Sequence, residues 1–183
     1  MTFSTDQLRS LVEKERGAAA PNRFRCILPR IGGTQKADGS AAQMFGTVEE
    51  LNTLCTASRL PGKNFSVVDR NVGLEQIKIA NGHTLGDVTL TFYLTNSYNV
   101  KKYWQEWSEC VMTPVAPFTM GFHKNYAKTV EVQQLNKVGE VVYAVKLRNA
   151  FPTTFTEIEL NNQAQGQALE FSVSLTYSNY EVV

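Results

Sequence analysis

Apolar and polar side chains alternate along two segments of the chain, residues 88–94 and 169–177. A period of two places successive side chains on opposite faces of a strand, so each segment predicts a strand with one face in the core. The residues of the two segments that we predict to form the core are Val88, Leu90, Phe92, Phe171, Val173 and Leu175. The residues between them bear hydroxyl or acidic groups, which predicts a polar second face.

Shorter patterns predict further strands and leave one segment undecided. Because Pro29 has no N–H to offer to a central ladder position, the strand that begins near residue 23 should end at an edge or a bulge. Residues 47–60 fit either a helix or a strand. The other predicted strands lie within residues 65–79, 126–135, 141–147 and 155–160.

The spacing of apolar residues changes to that of a helix after residue 96. Asn96 or Ser97 stands where it would cap a helix over about residues 98–111. The apolar stripe of this helix recurs at steps of four, three and four through Val100, Trp104, Trp107 and Val111. Two tryptophans on one stripe need a large apolar partner, so we predict that Trp104 and Trp107 pack against the sheet.

Two polar segments are expected outside the sheet. Residues 1–20 are predicted to be an N-terminal helix or arm, with a helix over about residues 4–16 that begins at the capping-box spacing of Ser4 and Gln7. Residues 32–43 contain three glycines and few apolar groups. Such a segment buries too little apolar surface to offset the entropy lost on ordering, so we expect a mobile loop.

The predicted elements fit one domain over residues 1–183. The expected fold class is α+β and mainly β. It is an antiparallel β-sandwich or half-barrel of about seven strands, with one flanking amphipathic helix and a short N-terminal helix.

The charge balance argues against a protein that holds nucleic acid or membrane by electrostatic attraction. The 18 basic and 17 acidic residues leave a net charge of +1, whereas tight binding to phosphates needs an excess of Lys and Arg. The longest membrane-like run, residues 141–145, is far shorter than the roughly 20 residues of a spanning helix. We expect a soluble protein made in a cytosol, with no membrane partner.

The sequence does not supply the groups of an active site. His83 and His123 stand in turns, without a carboxylate or cysteine at a useful spacing. The three cysteines are odd in number and contain no C-x-x-C pair, which argues against both a zinc site and a disulfide framework. We therefore expect no catalysis, no cofactor and no metal.

Several short strings follow one another in a set order over about residues 20–180. They are Pro21-Asn22-Arg23-Phe24, Cys55-x-Ala57-x-x-Leu60-Pro61-Gly62, Asp87-Val88-x-Leu90-x-Phe92, Trp104-x-x-Trp107, Leu147-x-x-Ala150-Phe151-Pro152 and Leu169-Glu170-Phe171-x-Val173-x-Leu175-x-Tyr177. In this order they resemble the tail tube proteins of contractile-tailed bacteriophages, a family related in fold to the tubes of type VI secretion systems.

The resemblance implies a structural virion protein. Copies of it would form hexameric rings whose sheets join into an inner barrel, and the rings would stack into a hollow tube that conducts DNA through a contractile tail. The implied partners are a sheath protein, baseplate tube-initiator proteins, and a tape-measure protein and double-stranded DNA held weakly in the lumen. The implied location is the phage tail, assembled in the host bacterial cytoplasm.

Two features of the residues agree with this interpretation. The strands of a small subunit leave unpaired edges, which a closed ring removes. The polar faces carry small uncharged side chains, whereas a lysine-lined wall would adhere to DNA. We expect a neutral to acidic lumen faced by Asp87, Thr89, Glu170 and Ser172, positions that equally fit a face turned to solvent.

Two other functions stay open at this point. A baseplate tube-initiator subunit would share the fold and stop at one ring. A monomeric β-sandwich ligand-binding module, a different class of protein, would hold its ligand on the helix of Trp104 and Trp107 or on the loop at Gly82 and His83. Long tubes, single rings and monomers distinguish the three functions.

Overall fold

Antiparallel strands and a few short helices make up the fold. The computed structural model describes residues 5–14, 17, 19–72, 75–115, 117–161 and 168–183. The helices of these residues are α1 (Thr5–Lys14), α2 (Val48–Thr53), α3 (Asn99–Val111) and α4 (His123–Tyr126). The strands are β1 (Phe24–Ile27), β2 (Cys55–Ser58), β3 (Lys63–Val72), β4 (Glu75–Leu85), β5 (Val88–Tyr93), β6 (Lys128–Leu135), β7 (Val141–Phe155), β8 (Glu170–Thr176) and β9 (Asn179–Val182). The predicted α+β, mainly β fold class is confirmed.

One sheet carries most of the strands, in the order β1-β6-β7-β8-β5-β2, and β9 also pairs with β7. The early part of β7 pairs with β6 and β9, and its last five residues pair with β8. The strand changes partner near Asn149, whose φ is 54°, and at a bulge beside Pro152, which has no N–H to donate. The prediction of separate strands over residues 141–147 and 155–160 was therefore wrong, because one strand runs through to Phe155.

The core lies between the sheet and α3. All eight residues predicted for it, on β5, α3 and β8, are buried. Phe92 and Trp104 have ring centroids 5.6 Å apart, and Trp104 stacks on Trp107 at 5.2 Å. Trp107 donates from Nε1 to the Tyr126 carbonyl at 2.8 Å, and Tyr103 donates to the Pro29 carbonyl at 2.7 Å. These bonds satisfy two polar groups that the buried aromatic rings carry into the core.

The ends of the helices differ in detail from the prediction. The residue that caps α3 is Tyr98, in the left-handed region at φ 53°, and it makes no side-chain capping bond. Neither Asn96 nor Ser97 is the cap, and Ser97 instead contacts the Thr95 hydroxyl at 3.0 Å. Ser4, the predicted cap of α1, lies outside the described residues.

Residues 32–43 form a hydrogen-bonded hairpin where a mobile loop was expected. Lys36 N donates to the Ser40 carbonyl at 2.8 Å, and the Lys36 ammonium lies 2.8 Å from the carboxylates of both Glu106 and Glu109 on α3. Desolvation alone would lower the pKa of Lys36, but the hydrogen bonds and charges of the two carboxylates together outweigh it, so the pKa is raised. The segment buries little apolar surface, and it is instead held by the ion pairs of Lys36 and by backbone hydrogen bonds.

The undecided segment 47–60 contains both a helix and a strand. Thr47 and Glu50 form a reciprocal capping box that starts α2, and β2 follows almost at once. At the same corner, Leu28 N donates to the Asn52 side chain at 2.9 Å, which brings the chain after β1 close to α2.

A hydrogen bond with Cys55, and then burial, raise the pKa of the Cys26 thiol well above its ordinary value.

Candidate functional site

A face of hydroxyl side chains covers the side of the sheet that is turned away from α3. Strands β5 and β8 pair in register, Thr89 with Ser174 and Thr91 with Ser172, while their apolar residues point to the core. Since Phe92 contacts Trp104 from the core side, these hydroxyl groups point in the opposite direction. We call the following residues the hydroxyl face: Thr89, Thr91, Thr154, Ser172, Ser174 and Thr176.

The hydroxyl groups of this face are largely bonded to one another. Thr91 and Ser172 have their oxygens 2.8 Å apart, and Thr89 and Ser174 have theirs 3.4 Å apart. Thr176 donates to the Asp87 carboxylate at 2.7 Å. A hydroxyl that is already hydrogen-bonded to its neighbour gains little free energy by bonding to a ligand instead. This surface is therefore polar but is expected to bind other molecules weakly.

Acidic side chains stand at both ends of the hydroxyl face. Asp87 precedes β5 at one end, and Glu170 lies opposite Tyr93 at the other. Arg59 borders the face as well, because it follows β2 and its backbone N–H donates to the Thr89 carbonyl at 3.2 Å. The structure thus places Asp87, Thr89, Glu170 and Ser172, the residues proposed from the sequence, on one side of one sheet.

Strands β3 and β4 form a hairpin that projects from the rest of the chain. Among the described residues they pair only with each other, and all side chains assigned along β3 are exposed. Its ten residues, at about 3.3 Å each, reach about 30 Å, whereas a domain of this length has a radius of gyration of about 16 Å. An isolated two-stranded hairpin is at best marginally stable in water, so a second surface is needed to hold it.

The hairpin carries apolar side chains on both of its faces. Near the base, Phe65 and Val67 are 63% and 56% exposed. A bulge between Ser66 and Val67 shifts the register, and toward the tip the apolar residues lie on the other face. We call that set the distal patch: Val68, Ile77 and Ile79.

A second exposed apolar surface follows α3, and the sequence patterns did not predict it. Thr113 is buried, and its hydroxyl accepts from Thr119 N at 2.9 Å. Thr119 is exposed, and its hydroxyl donates to the Ala37 carbonyl at 3.1 Å, so both hydroxyl groups bond to the backbone of the chain. The alternate residues of 118–122 are 69 to 80% exposed. We call the following residues the apolar strip: Met112, Phe118, Met120 and Phe122. Their alternation with Thr119 and Gly121 is the signal that the sequence contained.

Gly121 is required by the close approach of this segment to α3. A Cβ at Gly121 would collide with the Cys110 carbonyl oxygen. We expect Gly121→Ala to lower the free energy of unfolding by about 1 to 3 kcal/mol, since the backbone would have to shift. Denaturant unfolding measures this value. Gly62→Ala is the matched control, because nothing lies within 4 Å of a Cβ there, and equal stability of the two variants would contradict the packing.

The groups of an active site do not come together in the described part of the chain. Within it, no three side chains of His, Cys, Asp and Glu are placed to hold a metal ion. No described helix has the length and apolar character needed to cross a membrane. His83 lies on the hairpin opposite Phe65, and His123 packs edge to face on Tyr126. Trp104 and Trp107 are fully buried, so neither offers a stacking surface to a ligand.

Sequence comparison relates nearly the whole chain to one family. A family model described as phage tail tube protein matches residues 19–183. The sequence matches none of the curated proteins with which it was compared.

Solved structures share this fold at low sequence identity. A chain of the tube terminating cap of the anti-feeding prophage is 15% identical, with a TM-score of 0.61 over 91% of each chain. A chain of the PVC sheath-tube complex, an extracellular contractile injection system in its extended state, is 13% identical, with a TM-score of 0.61 over 100% of this chain and 99% of that one. A chain of the six-fold symmetrised anti-feeding prophage baseplate is 12% identical, with a TM-score of 0.59 over 91% and 95%.

Proposed function

Because this chain belongs to the phage tail tube protein family, we propose that its copies form hexameric rings that stack into a hollow tube, through which DNA leaves a contractile tail. Proteins of this family are structural and not enzymes, and this chain is a structural protein of the same kind. The six-fold symmetry of the similar baseplate structure supports a ring of six copies. The tube is part of the phage virion and is assembled in the host bacterial cytoplasm.

The observation that carries the proposal is the pairing of a non-adhesive sheet face with a projecting hairpin. The hydroxyl face is turned away from α3, so a ring that places this face inward places α3 outward. The lumen is then lined by internally bonded hydroxyl groups and by the carboxylates of Asp87 and Glu170. Such a wall repels phosphates weakly and does not displace the counterions condensed on DNA, so the DNA slides.

The same orientation indicates which surface of the subunit each partner contacts. The solvent side of α3 then faces a sheath, and a chain of similar fold comes from a sheath-tube complex. Baseplate tube-initiator proteins contact the first ring, and a tape-measure protein or double-stranded DNA occupies the lumen without specific contacts. The unpaired edges of β1 and β2, at the ends of the sheet order, are the edges that ring formation covers.

Cysteine accessibility tests which face lines the lumen. Ser172→Cys places a thiol on the hydroxyl face, and Lys101→Cys places one on the exposed side of α3. Assembly should slow the reaction of the Ser172→Cys thiol with a bulky polymer maleimide by about tenfold or more, because the lumen excludes the polymer. The Lys101→Cys thiol is the control and should react at the same rate in both states. Protection of Lys101→Cys with an unprotected Ser172→Cys would reverse the proposed orientation.

A baseplate or terminal ring subunit is the second candidate. Chains of the anti-feeding prophage cap and of the PVC sheath/tube terminator share the fold with TM-scores of 0.61 and 0.60, and the sheath-tube chain has a TM-score of 0.61. The fold therefore does not separate a tube subunit from a subunit that ends or starts a tube. Electron microscopy separates them, because a tube subunit forms long particles and an initiator or terminator stops at one ring.

A further inference from the structure

Two unlike apolar surfaces on one chain are typical of head-to-tail assembly. The distal patch lies on the β3–β4 hairpin, and the apolar strip lies after α3; the side chains of both are exposed. A heterologous contact joins two different surfaces of identical copies, and it repeats until a ring closes or continues as an open filament. Exposed apolar groups on a hairpin and on a separate segment are therefore expected where each copy offers one surface and receives the other.

The apolar strip also has a free strand edge. Met112 and Met120 form an isolated antiparallel bridge. Thr113 N donates to the Thr119 carbonyl at 3.0 Å, and Gly121 N donates to the Val111 carbonyl at 2.9 Å. These bonds flank the Met112 and Met120 pair, so the N–H and C=O of Met120 point away from residues 111–113. The strip can thus pair with another extended chain as well as pack against its side chains.

The hairpin that carries the distal patch supplies an extended chain of this kind. Val68 pairs with Ile79, and the next residue on that face, Arg70, pairs with Ile77. The three apolar side chains are 43 to 50% exposed, and no other described strand pairs with the outer edges of the hairpin. Its reach carries the patch beyond the body of its own subunit, so a surface of another copy has to cover it.

We propose that the distal patch of one copy docks on the apolar strip of the next copy, where the hairpin edge runs along Met120. This inference rests on the proposed tube assembly and names the two surfaces that join successive copies. The occupant of the strip is a second copy of this chain, because the hairpin is the extended, apolar and unpartnered segment that the described residues provide. The charge of Arg70 lies at the rim of the contact.

Two surface variants test the contact. Ile77→Thr with Ile79→Thr removes the distal patch and keeps the β-branched shape, and Phe118→Ser with Phe122→Ser removes the strip. Each variant should melt as the wild type does, because the changed side chains are exposed. Each should need a concentration about tenfold or more higher to form particles in sedimentation, since it loses two apolar anchors. Val138→Thr with Val142→Thr, also exposed, is the control and should assemble normally.

Mixing the variants identifies the partner surface. The strip variant retains a hairpin and the hairpin variant retains a strip, so an equimolar mixture should form one contact and yield particles that pair but do not extend. Separately, Ile79→Cys copies mixed with Phe122→Cys copies should form a disulfide-linked dimer. Normal polymers from the strip variant, or a mixture that behaves as the sum of its parts without the linked dimer, would overturn the proposed contact and leave the tube function standing. A solitary wild type would overturn both.

Discussion

Replacing Trp104 with alanine will lower the free energy of unfolding by about 3 to 5 kcal/mol. The indole is fully buried, lies 5.6 Å from the Phe92 ring and stacks on Trp107. Truncation removes the contacts that join α3 to β5 and leaves a cavity that the rigid strands cannot fill. Urea unfolding of the variant, followed by circular dichroism, measures the loss.

Two further variants separate packing from other causes. Trp104 Nε1 is buried and has no hydrogen-bond partner among the described residues. Trp104→Phe keeps an aromatic ring and removes this unpaired N–H, so it should cost clearly less than alanine. Phe122→Ala truncates an aromatic side chain that is 80% exposed and should leave stability unchanged. Equal stability of Trp104→Ala and Phe122→Ala would contradict the packing of α3 on the sheet.

Removing the hairpin will abolish assembly and leave the subunit folded. Ser66 pairs with Gly82, so residues 67–81 can be replaced with Asn-Gly, a two-residue turn that suits a short hairpin. The deleted residues are exposed where the structure assigns them, and the core does not include them. The melting temperature should stay within a few degrees of the wild type, while tubes and rings disappear from electron micrographs.

The same deletion distinguishes assembly from folding. A folded subunit that stays monomeric shows that the hairpin is needed between copies and not within one. Loss of the native near-ultraviolet circular dichroism in the monomer would show that the hairpin stabilises its own subunit. Normal tubes from the shortened chain would contradict its role in assembly.

The strictly periodic segments were the ones that the sequence predicted well. The alternation in β5 and β8 predicted core residues such as Phe92 and Phe171. It also predicted the residues of the opposite face, because successive side chains of a strand point to opposite sides. The steps of four, three and four located α3 to within a residue. In both cases the spacing of apolar residues along the chain shows which side chains are buried.

The elements that were not predicted depend on contacts between residues that lie far apart in the sequence. Strand β9 is paired to β7, but it is four residues long and its apolar residues alternate too briefly to predict a strand. The order of residues 32–43 comes from Lys36 and two carboxylates about 70 residues away. The apolar strip was missed because Pro114 and Pro117 mark a loop, and only the bonds of the Thr113 and Thr119 hydroxyl groups to the backbone show which side of it is exposed.

Electron microscopy of the purified protein at increasing concentration is the decisive experiment on whether its copies form rings and tubes. We expect rings of six copies at low concentration and hollow tubes of stacked rings as the concentration rises, with the hydroxyl face toward the lumen. Particles that remain monomeric at every concentration, without rings or tubes, would contradict it.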